Sequence, residues 1–279
     1  AQEKVWRAKV QKFYNTTETL NKLVETNMSI ARFGDGEFNL IQGISFDFQK
    51  ASKQLSKELL KVLQSKSKNL MIGITNAIFN RSHMTPKSKQ FWDKYMSQNH
   101  FQLKKMIPSS HAFYDTMVTR MYIDYQDKTI AHTLFEQMKK IWHNKDIVLV
   151  EGELSRVGVG NNLLNNANSI QRIICPAKNA FDRINDIMAE IKKQPKEKLF
   201  ILALGPTATL LAFKMNELGY RALDMGHFDI EYQWMLLNAT TKIPVPGKYV
   251  FESTDKQYIK NDQIEFDVKY QKEIVAKVL

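Results

Sequence analysis

Four short segments of this sequence hold residues able to do chemistry together. The first is Arg32-Phe33-Gly34-Asp35-Gly36-Glu37, where two carboxylates stand two residues apart after an apolar run, Ser29 to Phe33. If that run is a strand, residues i and i+2 face the same way, and Gly34 and Gly36 leave room for a ligand near the backbone. An acid-x-acid pair at a strand end suits a hard divalent cation, because Mg²⁺ and Mn²⁺ prefer oxygen ligands. Such an ion bridges a diphosphate and offsets charge on the leaving group. The competing reading is a surface turn whose acids cap the next helix.

The second segment, Leu204-Gly205-Pro206-Thr207-Ala208-Thr209, joins a buried strand, Phe200 to Leu204, to a helix from Thr207 to Leu218. Amides at a helix start form an anion site, and ligands of open α/β sheets bind beyond the carboxyl ends of strands. Thr207 and Thr209 add hydroxyls there, unless Thr207 simply caps the helix. The third is Glu151-Gly152-Glu153-Leu154-Ser155-Arg156-Val157-Gly158-Val159-Gly160-Asn161, after the strand Asp146 to Val150. Arg156 matches phosphate geometry, and Gly158 and Gly160 permit close approach; a flexible loop is the alternative. The fourth is Asp224-Met225-Gly226-His227-Phe228-Asp229-Ile230-Glu231. His227, Asp229 and Glu231 alternate and share one face if extended. They would supply a metal ligand, or a general base for an acceptor hydroxyl. Arg120 either reaches the same rim from another strand or makes a surface pairing.

To bring four loops to one rim, the chain needs a layered fold. Helical and short apolar patterns alternate, which argues for an α/β domain with a mostly parallel sheet flanked by helices. Helices are expected over 1–26 (Val5, Val10, Phe13, Leu20, Leu23), 51–65, 86–105 with Thr85 as cap, 128–142, an Asn/Leu stretch from Asn161, and 179–193. Further strands are expected at Leu70 to Ile74, Met117 to Tyr122, Ile170 to Cys175 and Arg221 to Met225. Pro244-Val245-Pro246-Gly247 marks a loop before a lysine-rich tail. No repeat or linker divides the chain, so residues 1–279 are read as one domain.

The formal net charge of +11 invites a nucleic-acid reading. The lysines are scattered, however, and Lys50, Lys53, Lys57, Lys61, Lys66 and Lys68 border an apolar face of Leu55, Leu59, Leu60 and Leu63, as on a solvated helix. A nucleic-acid binder would show steep salt dependence; charge alone points to it, and no such partner is expected. There is no Walker lysine motif and no full G-x-G-x-x-G. His83, His100, His111, His132 and His143 show no metal spacing, and Trp92, Trp142 and Trp234 read as core. The one cysteine, Cys175, excludes an internal disulfide and fits a reducing compartment, so a cytoplasmic location is expected. No apolar stretch reaches the roughly 18 residues that span a bilayer, and no signal peptide is visible.

Taken together, Ile30 to Ile41, Val148 to Asn161, Ile174-Cys175-Pro176 with Asn179-Ala180-Phe181, and Ala203 to Thr209 through Asp224 to Tyr232 resemble one family. It is the GT-D type of glycosyltransferase domain, found in enzymes that glycosylate streptococcal serine-rich repeat adhesins. The resemblance covers nearly the whole chain. It implies a Rossmann-like sheet of a distinct type and a D-x-E motif at Asp35 and Glu37 that holds Mn²⁺ (or Mg²⁺) against UDP. It also implies transfer of a hexose, commonly glucose, from a UDP-sugar to a glycan already on the adhesin. Intact members can carry a second transferase domain, and this chain would then be the first part of a longer protein. Under this reading Arg32, Gly34, Arg120, Glu151, Arg156, Gly158, Gly160, Asn161 and Gly205 to Thr209 contact nucleotide or phosphate, while His227, Asp229 and Glu231 serve the acceptor or the metal shell. The rival is a non-catalytic nucleotide-binding scaffold module, which would bind UDP without turnover.

Overall fold

A computed structural model describes Trp6, residues 9–253 and residues 257–279. Its strands are β1 (Lys12–Phe13), β2 (Ser29–Phe33), β3 (Leu70–Ile74), β4 (Ala112–Asp115), β5 (Asp146–Gly152), β6 (Ser169–Cys175), β7 (Leu199–Ala203), β8 (Arg221–Asp224) and β9 (Ile274–Lys277). They form one sheet in the order β1-β4-β3-β2-β8-β7-β5-β6-β9. Every pairing between these strands is parallel. The expected α/β class, with helices on both faces, is therefore present.

The sequence dictates two covered faces. β3 and β7 are apolar and buried throughout, as parallel strands packed on both sides are. Alternate residues divide between two cores. Ala31, Phe33, Ile72, Ile74, Val148, Val150, Phe200 and Leu202 join the first, under the helices Lys53–Leu63 and Gly205–Glu217. Ile30, Met71, Ile147, Leu149, Leu199 and Ile201 join the second, under the helices Thr16–Glu25, Ala131–Lys139 and Phe228–Leu236. β2 and β8 meet at the centre, where the order of the strands reverses: β3, β4 and β1 lie to one side of β2, and β7, β5, β6 and β9 lie to the other side of β8. That reversal opens a crevice beyond the carboxyl ends of the strands.

Several expected elements are corrected. The helix expected over 1–26 is interrupted: Trp6 and Lys9 are helical, β1 intervenes, and a second helix begins at Thr16, where Asn15 and Glu18 exchange side-chain and backbone hydrogen bonds as a capping box. Phe13 lies in β1 instead, and Val5 falls outside the described residues. The strand expected at Met117 to Tyr122 lies earlier, at β4. The Asp115 carboxylate accepts the Met117 amide at 2.9 Å and turns Thr116–Thr119 into a 3-10 helix. The Asn/Leu stretch after Asn161 is turns, not helix; the Asn161 side chain accepts the Leu163 amide at 3.0 Å, a local bond that competes with helix. Asn179, left-handed at φ 53°, stays outside its helix, which is a 3-10 turn Ala180–Arg183 followed by Ile184–Ile191. The lysine-rich tail folds into Asp262–Glu265, Val268–Glu273 and the edge strand β9, elements too short to show a period.

Candidate active site

A cavity of about 800 Å³ opens at the central crevice. Arg32 lines its floor, held from beneath by Asp224 at the end of β8. That buried carboxylate accepts the Arg32 amide at 2.9 Å and Arg32 Nη2 at 3.2 Å, and the Thr209 hydroxyl lies 3.2 Å away. Arg32 Nε donates to the Asp224 carbonyl at 2.6 Å and Nη1 to the Thr116 carbonyl at 3.3 Å. Arg32 is thus committed to holding β2, β8 and the Thr116 turn together. Gly226, at φ 51°, lets the chain pass over it; a Cβ there would strike the Arg32 guanidinium. Gly205, at φ 54°, plays the same part at the start of its helix, where a Cβ would strike the Phe48 ring.

Asp35 and Glu37 both line the cavity, beside Gly34. They do so from the first turn of a helix, Asp35–Ile41, and not from extended backbone. Successive helical residues turn by about 100°, so the two carboxyls diverge. Glu37 accepts the Gly34 amide at 2.9 Å, which makes it the cap that the competing reading foresaw. Burial, reinforced by the Asp224 charge, pushes the Glu37 carboxyl up to about 7. Asp35 is also raised, by burial and then by Glu252. It makes no ion pair among the described residues.

The opposite wall carries cations. Arg120 follows the Thr116–Thr119 turn and pairs bidentately with Glu252, one arm at 3.0 Å. Lys242 reaches Glu252 at 2.6 Å and Asp124 at 3.6 Å. Arg120 and Lys242 together hold Glu252 well below the usual carboxylate range, although burial alone would raise it. Lys242, Glu252, Asp124, Phe46, Phe48 and Phe251 all line the cavity and escaped the sequence reading. Lys242 and Glu252 flank the Pro244–Gly247 loop, in a stretch without periodicity, so no local signal marks them.

The fourth segment is a helix, Phe228–Leu236, with His227 at its cap position, so its three candidates separate. His227 lines the cavity; its buried Nδ1 has no hydrogen-bond partner among the described residues, and burial lowers the ring to about 4. It is neutral at pH 7. Asp229 faces away, accepting Lys248 Nζ at 2.7 Å and both the Gly158 amide and Asn161 Nδ2 at 2.9 Å. Glu231 accepts the Ile123 amide at 3.0 Å from beneath the wall.

The third segment is drawn elsewhere. Glu151 is buried against Arg172 at 3.0 Å. Arg156 donates to the Gly247 carbonyl and the Tyr258 hydroxyl, both at 2.7 Å. Gly158, Gly160 and Asn161 line a separate opening of about 370 Å³. In the second segment Gly205 and Pro206 face the cavity. Thr207, Ala208 and Thr209 are buried in the helix, which starts two residues before the expected Thr207 cap.

Comparison with known proteins decides the family. The model of the glycosyltransferase GT-D fold matches residues 30–253. The chain belongs to the GT-D fold glycosyltransferases. It is 38% identical over 265 residues to glycosyltransferase GlyD of Streptococcus pneumoniae serotype 4, covering 94% of this chain and 32% of that protein. It is 35% identical over 262 residues to the probable glycosyl transferase Gly of Streptococcus gordonii, covering 94% of this chain and 38% of the relative. The chain therefore spans about a third of the length of these curated relatives. Among solved structures, a new glycosyltransferase from Streptococcus sanguinis superposes with TM-score 0.89 at 32% identity, over 96% of this chain and 99% of that one. A domain described as having a distinct glycosyltransferase fold gives 0.90 at 32%, over 99% of each chain.

For this GT-D glycosyltransferase the donor set speaks to the expected cation. No group of three or more His, Cys, Asp or Glu among the described residues could enclose a metal. Asp35 and Glu37 offer oxygen donors on one wall. That fits an ion bound through one or two carboxylates and completed by substrate phosphates and water, as Mg²⁺ is commonly held. No helix among the described residues is long and apolar enough to cross a membrane.

Glu231 yields a stability prediction. Burial, with Asp124 beside it, pushes its carboxyl up to about 8 from 4.5, and Oε1 has no hydrogen-bond partner among the described residues. A group raised in the folded state contributes stability below its unfolded pKa, and that contribution is lost as pH rises to the folded value. Glu231→Gln keeps an acceptor for Ile123 and removes the titration. Its melting temperature should match wild type near pH 4.5 and exceed it increasingly towards pH 8. A constant difference across that window, read by thermal melts, would refute the assignment.

Proposed function

We propose that this glycosyltransferase moves a hexose, glucose foremost, from a UDP-sugar to a glycan on a serine-rich repeat adhesin, with Mn²⁺ or Mg²⁺ as cofactor. One observation carries the donor reading: the Gly34–Glu37 turn and the Gly205-Pro206 helix start line the same cavity. Its size falls in the range of small-ligand sites, roughly 300–1,000 Å³. The acceptor class and the sugar rest on the family resemblance alone. The same proposal sets the reaction in the cytoplasm, which suits the free buried Cys175.

The cation, when bound, offsets charge on the departing diphosphate. Asp35 would hold it, with Glu37 fixing the turn and offering a second carboxyl. The helix at Gly205 presents its free amides and positive dipole end to the phosphates. Pro206 contributes no N–H, so Gly205 and the amides after it do this. Arg32 locks the floor, and Arg120 supplies positive charge from the wall. His227 Nδ1, uncharged at neutral pH, accepts the acceptor hydroxyl as a hydrogen bond and orients it.

Calorimetric titration with UDP and several UDP-sugars, with and without Mn²⁺, tests the reading. UDP binding that strengthens with Mn²⁺, and slow hydrolysis of one UDP-sugar, are the expected results. No UDP binding under either condition removes the donor assignment. UDP binding without turnover of any sugar nucleotide would favour the scaffold reading instead.

A further inference from the structure

Arg120 and Lys242, the inner cations of the cavity wall, are already paired within the protein, whereas Lys87, also in the lining, is exposed. Arg120 and Lys242 face two carboxylates, Glu252 and Asp124. Asp124 belongs to the wall: it accepts the Ser88 hydroxyl at 2.5 Å, and its carbonyl accepts the Thr85 amide at 2.9 Å. Glu252 belongs to a different part. It sits on residues 240–253, a stretch with neither helix nor strand. The neighbouring Phe251 ring packs edge-on against Phe46 and Phe48, with centroids 5.8 and 6.0 Å away. Phe48 is the ring that lies over Gly205. One irregular segment thus lies against the Arg120 wall at one residue and the Gly205 helix start at the next.

Arg120 and Lys242 against Glu252 and Asp124 leave that cluster no net charge for a diphosphate. If the anion entered with Glu252 in place, it would meet Glu252 and Asp35 as like charges across a buried site, which is strongly unfavourable. The bidentate fork of Arg120 suits a phosphate as well as a carboxylate. Glu252 and a phosphate are therefore competitors for the same donors.

We infer that Arg120 and Lys242 form a clamp for the donor's diphosphate, and that Glu252 is an internal carboxylate occupying the clamp until the diphosphate displaces it. The inference deepens the donor reading above and rests on it for the diphosphate. Displacement frees the 240–253 segment from the wall and exposes the cavity that Phe251 and Glu252 now border. A binding-competent state that is only partly populated weakens apparent affinity by that fraction. Removing the competitor should restore it.

The test is calorimetric titration of UDP and of inorganic pyrophosphate into wild type, Glu252→Gln, Arg120→Ala and Lys242→Ala. Glu252→Gln should bind both probes about fivefold tighter or better, in the usual span of coupling between sites. Arg120→Ala and Lys242→Ala should bind both about tenfold weaker, in line with losing a charge-assisted bond. Wild type that binds pyrophosphate and not UDP would keep the clamp and remove the uridine donor. Glu252→Gln that binds both probes no tighter would remove the clamp, even with the UDP reading intact. Loss of the Mn²⁺ effect in that variant would make Glu252 a metal ligand and overturn the inference. Hydrogen exchange on wild type is independent of any folding defect in a variant. Pyrophosphate should speed exchange across 242–252; slower exchange there would show a segment closing on the ligand and would also overturn it.

Discussion

Asp35→Asn should lower kcat/KM for transfer by about 100-fold or more, the usual loss when one group that stabilises transition-state charge is removed. Asp35 is the better test of the cation site than Glu37. The Glu37 carboxylate accepts the Gly34 amide and holds the turn. Glu37→Ala would therefore unsettle the helix start by about 1 kcal/mol as well as remove a ligand. Asp35 makes no ion pair among the described residues, and its carboxyl is held up by burial and by Glu252. A half-buried carboxyl without an ion pair among the described residues costs energy to ionise, and a cation would remove that cost. Asparagine keeps the shape and removes the charge, so the melting temperature should stay within a few degrees of wild type. Loss of Mn²⁺ binding, followed by electron paramagnetic resonance, should accompany the loss of rate. An Asp35→Asn enzyme that retains Mn²⁺ binding and more than a tenth of the rate would sink the assignment.

The sequence displayed most of the fold and about half of the candidate site, and the division has physical causes. Strands buried on both faces announce themselves as apolar runs, which is why β2, β3, β5, β6, β7 and β8 were legible. Residues at the ends of those strands were legible too: Arg32, Asp35, Glu37, Gly205 and His227 follow directly from a strand and do line the cavity. What failed was the conformation assumed past the strand end. A shared face for Asp35 and Glu37, and for His227, Asp229 and Glu231, requires extended backbone, whereas both stretches turn straight into helix. A helix sends i and i+2 to different neighbours, so Asp229 serves Lys248 and Glu231 serves the Ile123 amide. The third segment failed for another reason. Arg172 is buried in mid-strand with no sequence mark, and its charge draws Glu151 away from the crevice. Lys242 and Glu252 leave no mark in the sequence because the wall residues they pair with, Asp124 and Arg120, are more than a hundred residues distant in the chain, and no local pattern encodes such a pairing.

Asp224→Ala should destabilise the protein by about 3–5 kcal/mol, the cost of leaving one member of a buried ion pair alone. Asp224 is almost fully buried and accepts from the Arg32 amide and from its guanidinium, with the Thr209 hydroxyl beside it. Alanine removes all of these acceptors and leaves the Arg32 charge with two backbone carbonyls only. For a chain of this size the melting temperature should fall by about 10 °C. The pair is also the joint between β2 and β8, where the crevice opens, so the loss reaches the site. Asp224→Asn separates the effects, because it keeps an acceptor and removes the charge. It should cost less stability and should lower the Glu37 pKa from about 7, since the Asp224 charge reinforces the burial that raises it. Any limb of the rate profile governed by Glu37 then moves to lower pH. Pairing Asp224→Ala with Arg32→Met should recover part of the lost stability, because an apolar pair of similar volume often costs little where a lone buried charge costs much. Additive losses in that double variant would mean that Asp224 and Arg32 act separately, and that the crevice floor is held by packing and not by their charge.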